Sequence, residues 1–280
     1  MDNPEPERIL ADMVTSDDIL IVGGGLNGPA LALALAQAGF SVTVIDAVTE
    51  ATRRTDAFDG RAYALALTSQ RLLHAIGIWE RVETFVQPML EIRVSDGHAG
   101  QGVSPLSMIF DHAEIEEGPM GFMVEDRHLR RAFLDALAAR DEITTISGQV
   151  VAQDIAADGV TLTLSDGSTF GGTLLVGSDG RASGTAARAG IKRSGWDYDQ
   201  TALVCAICHE RPHDGIAHQL FLPPGPLAIL PLTGNRSSIV WTERRDIAAE
   251  INAMDAADYL DVLHPRFGEV LGEISLAGER

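Results

Sequence analysis

Lysine is almost missing. The 280 residues carry 21 basic side chains, all arginine except Lys192, against 40 acidic ones, for a formal charge of −19. No cluster of Lys and Arg is present that would neutralise a row of phosphates, which excludes nucleic-acid binding through a basic face. The same deficit argues against docking on anionic lipid through a basic patch and leaves contact through an apolar surface open. Long apolar runs are lacking too, since the longest, residues 29–36, is far short of the ~20 residues a bilayer span needs. Residues 1–16 are acidic and interrupted by Pro4 and Pro6, unlike a signal or transit peptide, so they read as a leader. The expected location is cytoplasmic, at most peripheral to the inner face of a membrane.

Cysteine is scarce. Only Cys205 and Cys208 occur, and the β-branched, apolar run around them reads as a strand, where residues three apart point to opposite faces. The thiols then diverge, which argues against a redox pair. His209, His213 and His218 lie close by in sequence, but their spacing matches no structural zinc pattern, so no metal is expected. Catalytic signatures are absent as well: there is no HExxH, no GxSxG and no carboxylate pair arranged for acid–base work. No internal repeat or low-complexity segment occurs. Apolar residues at 45% and charged residues at 22% are ordinary for a folded globular chain, and 280 residues supply a large core without staples.

What is present begins at Asp17. Residues 18–22 form a short apolar run suited to a buried parallel strand, followed by Gly23-Gly24-Gly25-Leu26-Asn27-Gly28 and an alanine- and leucine-rich helix over 29–38. Gly39 ends that helix, and residues 41–45 supply a second strand closed by Asp46. This βαβ unit is the pattern that binds the ADP part of a dinucleotide. A side chain at Gly23 would obstruct the tight turn, at Gly25 it would block the pyrophosphate, and at Gly28 it would hold helix and strand apart. The pyrophosphate sits on the amides at the helix N-terminus, and Asp46 is placed to accept from a ribose hydroxyl. A simple NAD dehydrogenase would continue with further short βα units, whereas a long mixed segment follows here, which favours FAD.

Further along, 68–82 reads as helix, 90–95 and 121–124 as strands, and 126–140 as an amphipathic helix with Leu129, Phe133, Leu134 and Leu137 on one side. Residues 149–155 and 159–164 alternate, Asp166-Gly167 marks a hairpin turn, and 168–170 and 173–176 read as two strands. The second of these leads into Ser178-Asp179-Gly180-Arg181-Ala182-Ser183, an Asp-Gly turn at the carboxyl edge of a sheet, where ligands sit in open α/β folds. After residue 191 longer strands follow over 202–208, 227–231 and 237–242, and helix returns over 246–263.

The combination resembles the flavin-dependent aromatic hydroxylases that use NAD(P)H and oxygen, and within them the ubiquinone-biosynthesis hydroxylases acting on polyprenylated phenols. The residues that carry it, besides the glycine turn, are Phe58-Asp59-Gly60-Arg61-Ala62-Tyr63-Ala64-Leu65-Ala66, Val94-Ser95-Asp96-Gly97-His98-Ala99-Gly100, Val124-Glu125-Asp126-Arg127-His128-Leu129, Asp179-Gly180, Gly225-Pro226-Leu227-Ala228-Ile229-Leu230-Pro231 and Ser238-Ile239-Val240-Trp241. The resemblance implies a mixed α/β fold in which a Rossmann-like FAD-binding domain (17–95 and 120–190) is interleaved with a mixed β-sheet substrate domain (96–119 and 191–280). It implies that Gly23, Gly25, Gly28, Asp46, Arg61, Arg127, Asp179 and Gly180 bind FAD, with NAD(P)H as co-substrate. A small-molecule polyprenyl phenol is the implied substrate, with Pro231 and His98 as substrate-side candidates. Membrane or biosynthetic-complex contacts stay open, and nothing specifies an oligomeric state.

This sequence departs from the family in three places, the mildest being Asp46, which stands where the family mostly has glutamate. Ala186 stands where the family carries an arginine after the Asp-Gly motif, with Arg188 two residues further on. Family members also continue into a third, Gly-Asp-containing motif that covers the flavin ring, and no segment here matches it, so the resemblance implies a C-terminally incomplete hydroxylase. The alternatives are a truncated fragment, a non-catalytic FAD-binding or assembly subunit, and a flavin-dependent prenyl reductase.

Overall fold

The computed structural model describes residues 16–100, 104, 106–278 and 280, so the leader lies outside the described residues apart from Ser16. The chain packs as two units. One comprises the chain up to Arg54 and Phe133–Arg193; the other comprises Thr55–Ala132 and Ser194–Arg280.

The first unit is built on a six-stranded sheet in the spatial order Ile143–Ser147, Val42–Asp46, Ser16–Val22, Thr169–Gly177, Gly159–Leu164, Val150–Ala156. The first four strands run parallel and the last two form an antiparallel meander. A strand with neighbours on both sides has no polar backbone to offer water, and accordingly Leu20 and Ile21 of Ser16–Val22 are fully buried. The helix Asn27–Gln37 lays Gly28, Ala32 and Ala36, spaced four apart, among its buried residues. Small side chains at that spacing let helix and sheet approach closely. It ends as expected at Gly39, φ +90°, where Gly39 and Phe40 donate back to the carbonyls of Ala36 and Leu35 in a Schellman arrangement.

The second unit holds a seven-stranded sheet in the order Ile274–Leu276, Gln200–His209, Arg236–Arg244, Gly225–Leu232, Ile216–Leu222, Glu91–Asp96, Ser107–Asp111. Only Ile216–Leu222 and Glu91–Asp96 pair in parallel. The helices Arg245–Asn252 and Ala256–Leu263 contribute Ile251, Tyr259 and Leu263 to a core with Trp241, Ile239 and Phe267. A three-stranded sheet places Gly121–Glu125 between Ala62–Leu65 and Gln87–Met89. Residues 55–95 and 120–132, expected with the nucleotide-binding part, pack with this sheet-rich unit. The cause is an apolar cluster in which Met89 and Met123 join Ala206, Ala217 and Leu232.

Several elements differ from their sequence outline. The helix expected over 68–82 is two, Leu67–Ala75 and Trp79–Val82, broken at Gly77, whose φ is +71°. The helix over 246–263 is also two, because Asp255 caps the second by accepting from the Asp258 amide at 3.0 Å. Conversely, the two strands read on either side of Gly171-Gly172 are one, Thr169–Gly177. A Cβ at Gly172 would lie 2.7 Å from Leu20 Cγ, so this glycine marks a close approach to the neighbouring strand rather than a break. Cys205 is buried and Cys208 half-buried on one strand, and both are free thiols. No helix among the described residues is long and apolar enough to cross a membrane.

His218 gives the second unit an acid-sensitive point. It is 5% exposed, and its Nδ1 has no hydrogen-bond partner among the described residues. Burial first, then the positive charge of Arg93 on the paired strand, pull its pKa down to about 4, with Glu91 opposing. The unfolded chain takes up this proton near pH 6.5 and the folded chain only near pH 4. The contribution is therefore complete above about pH 6.5 and is lost as pH falls through that window, on the order of 3 kcal/mol in all. Urea unfolding from pH 7 to pH 4 is expected to show this loss, and His218→Leu is expected to flatten that limb of the curve.

Candidate functional site

The glycine turn joins the parallel strand Ser16–Val22 to its helix, and its glycines do different work. Gly23 has φ +114°, and a Cβ there would lie 2.3 Å from the Ser178 carbonyl oxygen. Gly28 would put its Cβ 1.9 Å from the Gly23 carbonyl oxygen. Both are therefore fixed by the chain's own backbone. Gly25 is the opposite case: a Cβ there meets nothing within 4 Å. Its lack of a side chain serves no internal packing, and it borders an open cleft of about 560 Å³.

That cleft is lined, all within the first unit, by residues that include Gly23, Gly25, Asp46, Asp179, Gly180 and Arg188. Six of the residues singled out in the sequence thus divide cleanly. Five of them line one cleft, and Gly28 stands behind it as the helix–strand contact. Asp46, at the end of Val42–Asp46, accepts from the Gly24 amide at 2.5 Å through Oδ2 and from the Val48 amide at 2.7 Å through Oδ1. These bonds fix the carboxylate at the rim, and each oxygen keeps acceptor capacity for a hydroxyl. Asp179 accepts from the Ser183 hydroxyl, and from the amide and hydroxyl of Thr185 at 3.0 Å each. Burial alone would raise its pKa; those hydrogen bonds outweigh burial and hold the carboxyl below the usual range. In this geometry Asp179 shapes its own turn, while Gly180, φ +81° with open space at the Cβ position, leaves backbone accessible.

Three contributors escaped the sequence outline. Arg53 is buried and donates to the Gly24 carbonyl at 3.0 Å. A Cβ on Gly24 would lie 2.5 Å from the Arg53 Nη1 and 2.9 Å from Asp46 Cβ, so the middle glycine is needed as well. Gly148 lines the cleft too. The run of three glycines was the only local signal for Gly24; an arginine in a short helix gave none for Arg53.

Arg61 and Arg127 belong to the second unit. Each is held by one of two consecutive acids where the strand Gly121–Glu125 passes into the helix Asp126–Ala138. Asp126 pairs with Arg61 at 3.1 Å and Arg130 at 2.7 Å, and accepts from the Tyr63 hydroxyl at 2.9 Å. Burial first, then that bond, push the Tyr63 pKa up to about 12. Glu125 accepts from Arg127 Nε at 2.8 Å and from Arg236 Nη2 at 2.6 Å. The neighbouring His128 is held below the ordinary histidine range by burial, against the pull of Glu125. Of the substrate-side candidates, Pro231 is buried in Gly225–Leu232, and His98 is exposed in the loop after Glu91–Asp96.

A sheet of four parallel strands with a glycine turn at the carboxyl end of its first strand, an acid closing the second, and an open cleft beside them defines a dinucleotide-binding fold. The chain belongs to the FAD binding domain family, whose pattern matches residues 16–277. It is 46% identical over 264 residues, 94% of its length, to the ubiquinone hydroxylase UbiL of Rhodospirillum rubrum. It is 32% identical over 262 residues to the 3-demethoxyubiquinol 3-hydroxylase of Escherichia coli, 92% of this chain. The chain spans 60% and 65% of the lengths of these two relatives. Among solved structures, P. aeruginosa PqsL in complex with 2-aminobenzoylacetate superposes with a TM-score of 0.77 at 22% identity, over 91% of this chain and 68% of that one. That likeness shows the shared fold, a mixed α/β architecture.

Proposed function

We propose that this chain is the FAD-binding and adjoining sheet-rich part of a monooxygenase that uses NAD(P)H and oxygen to hydroxylate a polyprenylated phenol in ubiquinone biosynthesis. The observation that carries the reading is the 46% identity with a ubiquinone hydroxylase over 94% of the chain. The open backbone at Gly25 fits the cofactor, because a pyrophosphate needs the space a side chain would fill. In this reading the amides at the start of Asn27–Gln37 receive the pyrophosphate, Asp46 accepts from a ribose hydroxyl, and Arg188 on the cleft wall supplies a positive charge. Arg61 and Arg127 serve as further FAD contacts, Asp179 and Gly180 complete the cleft, and the unit holding Gly225–Leu232 takes the substrate. FAD, when bound, would supply the redox chemistry between the nicotinamide and oxygen; the protein's part is to orient the partners and exclude water.

The test is product analysis with reduced nicotinamide and a short-chain polyprenyl phenol, with and without oxygen. The proposal predicts oxygen-dependent nicotinamide oxidation and a product heavier by one oxygen atom. Reduction of the prenyl chain without oxygen would replace it with the reductase reading, and FAD binding without turnover would replace it with a non-catalytic one.

A further inference from the structure

Arg188 stands on the wall of the cleft with no acid to neutralise it. The segment after the Asp-Gly turn forms the short helix Gly184–Arg188, begun by Ser183, whose hydroxyl accepts from the Ala186 amide at 3.0 Å. Residues four apart in a helix stack on one face, and a helical side chain leans back over the preceding turn. Arg188 accordingly lies over position 184: a Cβ on Gly184 would stand 2.9 Å from Arg188 Nη1 and 3.6 Å from its Cζ and Nη2. The guanidinium also reaches the strand Val150–Ala156, where Nε donates to the Gln153 side chain and Nη1 to the Val150 carbonyl, at 3.3 Å each. Those bonds are long for their kind, so the guanidinium is held as much by the room it occupies as by its partners. Nη2 has no hydrogen-bond partner among the described residues and is left to give.

The backbone does not call for this glycine. Gly184 is helical, without a positive φ, and alanine is the better helix former. What the missing side chain leaves room for is Arg188. That charge matters because, among the described residues lining the cleft, Arg188 is the only cation, against the carboxylates of Asp46 and Asp179. A diphosphate entering there meets two like charges and one opposite charge. We propose that Gly184 is a positioning residue: the space it leaves seats the Arg188 guanidinium on the cleft wall, where Arg188 gives a dinucleotide's diphosphate its positive partner. Gly184, Gln153, Arg188 and the whole cleft belong to the first unit, and the inference rests on the reading of that cleft as the FAD site.

FAD affinity of the 280-residue chain is to be measured at low and high ionic strength for the parent, Gly184→Ala, Arg188→Gln and the double variant, with a melting curve for each. Arg188→Gln is expected to weaken binding about tenfold at low salt and to flatten its salt dependence, as loss of a charge does and loss of packing does not. Gly184→Ala is expected to weaken binding about fivefold while melting no lower than the parent, and the double variant to bind no worse than Arg188→Gln alone. Losses that multiply in the double variant would mean that the alanine methyl obstructs the ligand directly. A lowered melting temperature of Gly184→Ala would make the glycine a packing residue. Either result overturns the proposal, as does parental affinity in Gly184→Ala or an unchanged salt slope in Arg188→Gln. If the parent chain binds no FAD, the reading of the cleft falls as well; if FAD binds and only these substitutions are silent, the seat for Arg188 alone falls.

Discussion

Gly25→Ala is expected to fold and melt like the parent chain and to lose FAD affinity by roughly 30-fold or more, equivalent to about 2 kcal/mol of steric conflict. The two halves of this result come from one measurement of space. The added Cβ meets no protein atom within 4 Å, and the Gly25 backbone does not lie in the left-handed region, so nothing in the folded chain resists the change. Gly25 lines the same cleft as Gly23, Asp46 and Gly180, where a pyrophosphate would lie against the backbone amides and the added methyl would compete for its space. A melting curve and an FAD titration on the same preparation separate the effects. A large drop in melting temperature would mean that Gly25 is a packing residue, and unchanged FAD affinity would mean that the cofactor does not approach this turn.

Gly28→Ala is expected to behave in the reverse way. Its Cβ would stand 1.9 Å from the Gly23 carbonyl oxygen and 3.1 Å from the Gly23 carbonyl carbon, both backbone atoms that no rotamer change can move. The helix Asn27–Gln37 must back away from Ser16–Val22, giving up the close seat of Ala32 and Ala36. The cost is put above about 3 kcal/mol, a melting temperature lower by roughly 10 °C, with FAD affinity lost only in proportion to the folded fraction. Circular dichroism across the melt checks this. A Gly28→Ala chain as stable as the parent would contradict the close packing described for the turn.

These two positions show how far the sequence carried. Of Gly23, Gly25 and Gly28, whose spacing announced a turn, a ligand approach and a packing contact, the first and last stand hard against the chain's own backbone and Gly25 borders open space. Local patterning also gave the parallel strands, the Schellman stop at Gly39 and the helix beginning at Asp126. It failed where distant contacts decide. Gly171-Gly172 reads as a break, yet the strand runs through it because Leu20 of the adjacent strand needs the room. Ile216–Leu222 went unread because His218 and Gln219 interrupt its apolar pattern, although the sheet buries His218 all the same. Arg53 is tied to Gly24 from 29 residues away, a link no local pattern records. The acids Glu125 and Asp126 were read as part of a motif around Arg127, and only the folded arrangement shows each holding a different arginine.

The measurement that bears most directly on the whole account is a titration of the 280-residue chain with FAD, following the flavin absorbance and fluorescence, repeated with Gly25→Ala. The account predicts saturable binding of one FAD per chain, displaced by ADP in excess, and strongly weakened binding in a Gly25→Ala chain that is still folded. No saturable binding by the folded chain, or equal binding by the two proteins, would contradict it.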